Sequence, residues 1–113
     1  MEKWLEVGVC GKSLMLAGIA ASLQAQGKVR ISWLESPLAE ASPEIKLLAP
    51  HAVLFEMSGR WQTTVSDLLG KHPGLTLIGL EAESETITAF SATRQTVFSI
   101  EALTQIILKQ IDS

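Results

Sequence analysis

Short apolar segments alternate with segments of helical periodicity along most of the chain. Strands are predicted at residues 5–10, 29–34, 51–56 and 75–80, and helices at residues 13–26, from Ser42 and from Trp61. Apolar and polar residues alternate in 29–34, which is typical of an edge strand, whereas 75–80 is almost wholly apolar, as central strands are. This order of strands and helices predicts an α/β fold with a mostly parallel sheet.

Glycine, proline and polar residues mark the ends of the predicted helices. Gly27 is expected to stop the first helix in a left-handed conformation, and Pro50 to stop the second one. Ser42 is predicted to be the N-cap of that second helix, because a proline that suits the first helical turn follows it.

The pattern changes after the fourth strand. A regular repeat would place a helix here, but residues 86–90 and 95–99 are rich in β-branched and aromatic residues, which favour strands. We predict a β-hairpin near residues 86–99 in place of a fourth helix; the alternative is a threonine-rich helix, which propensity disfavours. A final helix is predicted from Ser99, as its N-cap, to about Ile111.

The composition is that of a globular domain. The chain has 113 residues, 47% of them apolar, and a mean hydropathy of +0.28, so residues 1–113 predict a single domain with its own core. A net charge of −3 gives no electrostatic reason to bind nucleic acid or an anionic membrane. The one cysteine, Cys10, excludes an internal disulfide, and no signal peptide or membrane-spanning run is apparent, so a cytoplasmic protein is predicted.

The acid that ends the third strand is the first candidate for function. Residues 50–56 read Pro-His-Ala-Val-Leu-Phe-Glu, so an apolar strand delivers Glu56 to the carboxyl edge of the sheet, where α/β proteins place their sites. Lys12 follows the first strand and is expected at the same edge. We therefore expect an ion pair between Lys12 and Glu56 that fixes the domain in one state.

The order of strands and helices, the helix after the first strand and the Pro-x-x-Val-Leu-x-acid pattern of the third strand together resemble a response-regulator receiver domain. The resemblance covers nearly the whole chain and is strongest from Val7 to Leu80. It implies a flavodoxin-like, mostly parallel, five-stranded sheet of order 2-1-3-4-5 with helices on both faces. It also implies a role in two-component signal transduction, with Glu56 at the position where receivers carry the phosphoacceptor aspartate.

The remaining residues of receiver chemistry are missing. Receivers carry an acidic pair after the first strand that helps to hold Mg²⁺, and Cys10 and Gly11 stand there instead. Glu81 or its neighbours replace the Ser or Thr that ends the fourth strand, and Ser99 or Ile100 replaces the lysine that ends the last strand. Without these groups, catalysed phosphorylation is not expected. We interpret the chain as a pseudo-receiver that is not an enzyme, uses no metal or cofactor, and acts through protein–protein contact.

Two other functions stay open from the sequence. Cys10 precedes a helix N-terminus, whose dipole can lower a thiol pKa; this placement resembles the B component of sugar phosphotransferase systems and implies a phosphocarrier. A buried small hydrophobe is the competing interpretation of Cys10. A dimeric structural module without an active site is the third possibility, because the last helix is apolar on more than one side and predicts an interface at Ile107, Leu108 and Ile111.

Overall fold

A computed structural model describes residues 4–81, 83–84, 86–92 and 95–99. Within these residues six strands form one sheet. The strands are β1 (Leu5–Cys10), β2 (Val29–Leu34), β3 (Ala52–Glu56), β4 (Thr76–Glu81), β5 (Thr86–Phe90) and β6 (Gln95–Ser99). The helices are α1 (Leu14–Ala25), α2 (Ser42–Leu48) and α3 (Trp61–Lys71), and a short 3-10 helix covers Leu38–Glu40. No helix in this part of the chain is both long and apolar enough to cross a membrane.

The sheet has the order β2-β1-β3-β4-β5-β6. The pairs among β1 to β4 are parallel, β5 is antiparallel to β4, and β6 is antiparallel to β5. The predicted α/β class, the order 2-1-3-4-5 and the hairpin at 86–99 are confirmed, and the hairpin brings a sixth strand to the far edge. The final helix predicted after Ser99 lies outside the described residues, and Ser99 itself ends β6.

Residues of β3 alternate between two apolar cores, one on each face of the sheet. Ala52 and Leu54 belong to the first core, and Val53 and Phe55 to the second. The first core receives α1 through Leu16, Ala20 and Leu23, whereas the second receives α2 and α3 through Ile45, Val65 and Leu68. Helices therefore cover both faces, as expected, and β3 is buried over its whole apolar length because each face has its own helical layer.

Most of the predicted helix ends agree with the structure. The Oγ atom of Ser13 caps α1 by accepting the backbone N–H of Leu16 at 3.1 Å, and Gly27 adopts a left-handed φ of 81° after the helix. Helix α2 ends before Pro50, where Ala49 takes the left-handed conformation. A proline disfavours the right-handed helical region for the residue before it, and Ala49 leaves that region for the left-handed one, which ends the helix.

The predicted N-cap of α2 is wrong. Ala41 occupies the cap position and makes no side-chain capping bond, while Ser42 is already the first helical residue. The hydroxyl of Ser42 lies 2.9 Å from Nε2 of His72, the residue that follows α3. The Ser42 hydroxyl therefore bonds to a residue distant in sequence instead of capping the backbone at the start of its own helix.

Gly79 makes room for two side chains of the second core. It lies in β4 opposite Phe55 of β3. A Cβ atom at this position would stand 2.6 Å from Cγ of Met57 and 2.9 Å from Cζ of Phe55. The backbone of Met57 is held in place, because its N–H donates to the carbonyl of Leu80 at 2.9 Å, so an added methyl group would have to displace the Met57 side chain. Because position 79 has no side chain, the side chains of Met57 and Phe55 can pack directly against the backbone of β4.

We expect Gly79→Ala to lower the free energy of unfolding by about 1–3 kcal/mol, because the new methyl group overpacks the second core. Gly18→Ala is the matched control: position 18 lies within α1, where no atom stands within 4 Å of an added Cβ. Alanine should raise the free energy of unfolding there by about 0.5–1 kcal/mol through its helix preference. Urea unfolding followed by circular dichroism measures both, and equal shifts of the same sign would contradict the packing argument.

Candidate functional site

A cleft of about 670 Å³ opens at the carboxyl ends of β1, β2 and β3. Its lining consists of residues 10–12, residues 34–39, and Phe55, Glu56, Ser58, Arg60, Trp61 and Thr64. The chain leaves β1 through α1 on one face of the sheet and reaches β3 through α2 on the other face. Connections that depart to opposite faces leave a crevice between neighbouring parallel strands, which is where such sheets place ligand sites. The cleft is therefore the candidate functional site.

Cys10 lines the cleft as a buried thiol. Only 7% of the residue is exposed, and its Sγ donates a hydrogen bond to the carbonyl oxygen of Ser36 at 3.3 Å. Burial raises the pKa of the Cys10 thiol, and the negative charge of Glu44 raises it further. The thiol is therefore protonated near neutral pH, and the N-terminus of α1 does not turn it into a reactive thiolate.

Gly11 leaves no room for a side chain beside Cys10. Its φ of 128° is a conformation that residues with a side chain rarely adopt, and an added Cβ would stand 2.7 Å from Cδ1 of Leu16. Leu16 is fully buried in the first core, so it cannot move away without disturbing α1. An acid at position 11 would consequently strain both the backbone and the core.

The carboxylate of Glu44 holds the segment that forms one wall of the cleft. Its two oxygens accept the backbone N–H of Glu35 at 3.1 Å and that of Ser36 at 2.9 Å. The Ser36 side chain, together with these backbone N–H groups, lowers the pKa of the Glu44 carboxyl. Because Cys10 holds the carbonyl of the same Ser36, the peptide units around residue 36 are fixed on both sides.

Glu56 and Lys12 both line the cleft, but the expected ion pair between them is not formed. The ion pairs of the described residues join Arg30 to Glu6 at 3.4 Å and Lys71 to Asp67 at 3.1 Å. Lys12 is exposed to water, where a pair is worth only about 0–1 kcal/mol and solvent competes with it. Glu56 is partly buried, and its carboxylate makes no hydrogen bond or ion pair with any residue that the structure describes.

Glu81 and Ser99 lie at the same edge of the sheet but away from the cleft. Thr86 of β5 stands between them in the sheet, opposite Glu81 on one side and Ser99 on the other. Neither residue belongs to the lining. The four positions that the receiver resemblance grouped are therefore separated. Cys10 and Gly11 line the cleft, whereas Glu81 ends β4 and Ser99 ends β6, both outside the lining. The antiparallel β5 causes this division, because it separates the two carboxyl-edge residues by one extra strand.

Arg60 and Trp61 are among the cleft residues that were not singled out as site residues from the sequence. Arg60 is exposed at the start of α3, and Trp61 follows it, partly buried, with its ring centroid 5.3 Å from that of Phe90. Their position in the sequence could have identified them. Both follow shortly after the third strand and Glu56, and residues that follow a parallel strand lie near its carboxyl end. The predicted interface residues Ile107, Leu108 and Ile111 lie outside the described part of the chain.

No group of three or more His, Cys, Asp or Glu residues in the described ranges is placed to hold a metal ion. In comparisons with known proteins, no family model matches the chain, and no curated protein or solved structure matches it.

We expect Cys10 to react slowly with iodoacetamide in the native protein near neutral pH and rapidly after unfolding in guanidinium, because the native thiol is buried and protonated. Intact mass measurement follows the reaction at a single site, since the chain has one cysteine. The reference is Cys10→Ser/Leu14→Cys, which moves the thiol to a position that is 92% exposed. Native Cys10 should react at least about tenfold more slowly than this reference; equal rates would contradict the buried, protonated thiol.

We expect Glu44→Gln to lower the melting temperature at neutral pH, because a neutral amide holds the two backbone N–H groups less strongly. A carboxyl whose pKa is lowered by folding stabilises the protein fully above its ordinary value of 4.5, and this contribution is lost as the pH falls through the lowered pKa. The difference from wild type should therefore vanish in strong acid. Glu40→Gln, at an exposed acid in the neighbouring 3-10 helix, is the control; an equal loss in both variants at neutral pH would contradict the role of Glu44.

Proposed function

We propose that this protein is a flavodoxin-like, receiver-like domain that works in signalling through protein–protein contact and is not switched by phosphorylation. One observation carries the proposal. Glu56 emerges at the carboxyl end of the buried β3, in a cleft that it shares with Cys10 and Gly11. This is the arrangement implied by the resemblance to receivers, with a fixed acid in the phosphoacceptor position and no acidic pair beside it.

The chemistry of the neighbouring positions supports the loss of phosphoryl transfer. Mg²⁺ requires hard oxygen ligands, and phosphoryl transfer needs the cation to offset the developing charge. Cys10 supplies a buried, protonated thiol, and the backbone at Gly11 disfavours any side chain. Glu56 therefore contributes a constant negative charge where a receiver would carry a transient one.

The phosphocarrier alternative receives no support from the site. A phosphocarrier cysteine attacks as a thiolate, so it needs a lowered pKa and access to its donor. Burial raises the pKa of Cys10 instead, and its sulfur is engaged with the carbonyl of Ser36.

An exposed apolar residue beside the cleft supports contact with another protein. Leu14 begins α1 two residues after Lys12, and 92% of it is exposed. Exposed leucines are common singly, but this one follows within two residues of Lys12, which lines the cleft. Protein interfaces combine apolar contacts at their centre with polar groups at their rim, and an exposed leucine near charged side chains offers both kinds of group.

Incubation with acetyl phosphate and Mg²⁺ tests the proposal. The intact mass is expected to remain unchanged, whereas a receiver domain that carries the aspartate gains one phosphoryl group under the same conditions. Glu56→Gln is the matched variant, because it removes the carboxylate but keeps the size of the side chain. A phosphoryl group that wild type gains and Glu56→Gln does not would overturn the proposal.

A further inference from the structure

Strand β2 forms one edge of the sheet, and among the described strands it pairs only with β1. We propose that two copies of this protein join through this edge, with β2 of one copy antiparallel to β2 of the other about a two-fold axis at Ser32. The sheet then continues from one copy into the next. The contact does not depend on the proposed function, because Glu56 takes no part in it.

The backbone hydrogen bonds between β1 and β2 determine which groups of β2 face the open edge. The N–H of Leu5 donates to the carbonyl of Lys28 at 2.9 Å, and Leu5 lies opposite Val29. In a parallel ladder a residue bonds to the two neighbours of the residue opposite to it, so the even-numbered residues of β2 bond to β1. The odd-numbered residues, Val29, Ile31 and Trp33, therefore direct their N–H and C=O groups outward. A row of such groups is a template for another strand.

Two of these three residues are accessible to a second strand. Val29 is buried, whereas Ile31 is half-buried and Trp33 is 49% exposed. The row does not extend beyond the strand, because the N–H of Glu35 already donates to the carboxylate of Glu44 at 3.1 Å. Ile31 and Trp33 are therefore the residues of this edge through which a second strand can bond.

One antiparallel register pairs both of these residues on both copies. It sets Ile31 opposite Trp33 of the second copy, with Ser32 on the two-fold axis, and each of the two symmetric pairs exchanges its N–H···O bonds. Pairing Ile31 with itself would set Trp33 opposite the buried Val29. Pairing Trp33 with itself would set Ile31 opposite Glu35, whose N–H is taken.

The same register also brings apolar side chains together. Trp33 lies opposite Val9 of the first core, and Ile31 packs against that core, so both side chains are on one face of the sheet. In the paired sheet each Trp33 ring covers Ile31 of the other copy. A half-exposed tryptophan that becomes buried at a contact is the kind of residue that contributes most to binding.

The charges along β2 favour a second copy as the partner. Edge strands often carry a free charge that repels another strand, but the guanidinium group of Arg30 is paired with Glu6 of its own chain at 3.4 Å. In the proposed register Arg30 lies opposite the apolar Leu34 of the second copy. The antiparallel direction also brings the exposed Lys28 of each copy next to the exposed Glu35 of the other. The strand thus meets opposite charge at both ends when its partner has the same sequence.

Light scattering of the whole chain between about 10 μM and 1 mM tests the contact, because a small edge interface gives a weak dimer. We expect the mass to rise from that of the monomer toward that of the dimer. Trp33→Lys should weaken this self-association at least about tenfold, since it removes the ring and places a charge in the contact. Leu48→Lys should leave it unchanged, because Leu48 is 42% exposed at the end of α2, outside β2.

A cysteine at the proposed axis tests the register. Ser32 faces its own copy across a non-hydrogen-bonded antiparallel pair, where the Cα atoms are about 4.5 Å apart and a disulfide can form. In a Cys10→Ser background, Ser32→Cys should form a disulfide-linked dimer with copper phenanthroline as the oxidant. Lys28→Cys, exposed on the same chain segment but far from the axis, should cross-link at least about tenfold more slowly. Non-reducing electrophoresis measures both rates.

The inference is overturned if the wild type remains a monomer over the whole concentration range, which is also the result expected if the edge binds a strand of another protein. It is equally overturned if Trp33→Lys associates as strongly as wild type, if Leu48→Lys weakens association as much, or if the two cysteines cross-link at equal rates. Circular dichroism checks the folding of Trp33→Lys, and the cysteine pair decides the matter if that variant does not fold.

Discussion

Burial of β3 on both of its faces is the constraint on which the other features depend. The four apolar residues of this strand feed two separate cores, so helices must cover both sides of the sheet and the chain must pass from one side to the other near β1. That passage opens the cleft. The last two residues of the strand, Phe55 and Glu56, line it, and the position of the acid follows from the burial of the four residues before it.

Hydrogen bonds to the backbone, rather than ion pairs, give the cleft its shape. Cys10 and Glu44 hold opposite sides of the peptide units around Ser36, and both do so with groups that the pKa shifts keep in one protonation state near neutral pH. The charged side chains of the lining stay free of one another. A backbone frame that is fixed in advance loses little conformational entropy on binding a ligand of any kind, which is the physical advantage of preorganisation.

The sequence predicted the strands well because buried parallel strands are nearly continuous apolar runs, and it predicted the hairpin because threonine, valine and phenylalanine disfavour a helix. The same reasoning placed Glu56 at the carboxyl edge. It failed where the answer depends on competition between distant groups: Ser42 bonds to His72 instead of capping its own helix, and Lys12 stays in water instead of pairing with Glu56. The receiver resemblance grouped Glu81 and Ser99 with Cys10 and Gly11, but the antiparallel β5 stands between Glu81 and Ser99, and neither lines the cleft.

The strand pairs of the sheet also differ in the length of chain that separates their two strands. The antiparallel pairs β4–β5 and β5–β6 join strands that follow each other directly in the chain, so each of these two pairs closes a short loop. The pairs among β1, β2 and β3 each need a crossover through a helix, which closes a longer loop and costs more entropy before any contact is gained. We therefore expect the hairpin pairs to form at a lower entropic cost than the parallel pairs among β1, β2 and β3, although the residues of those parallel strands are synthesised first.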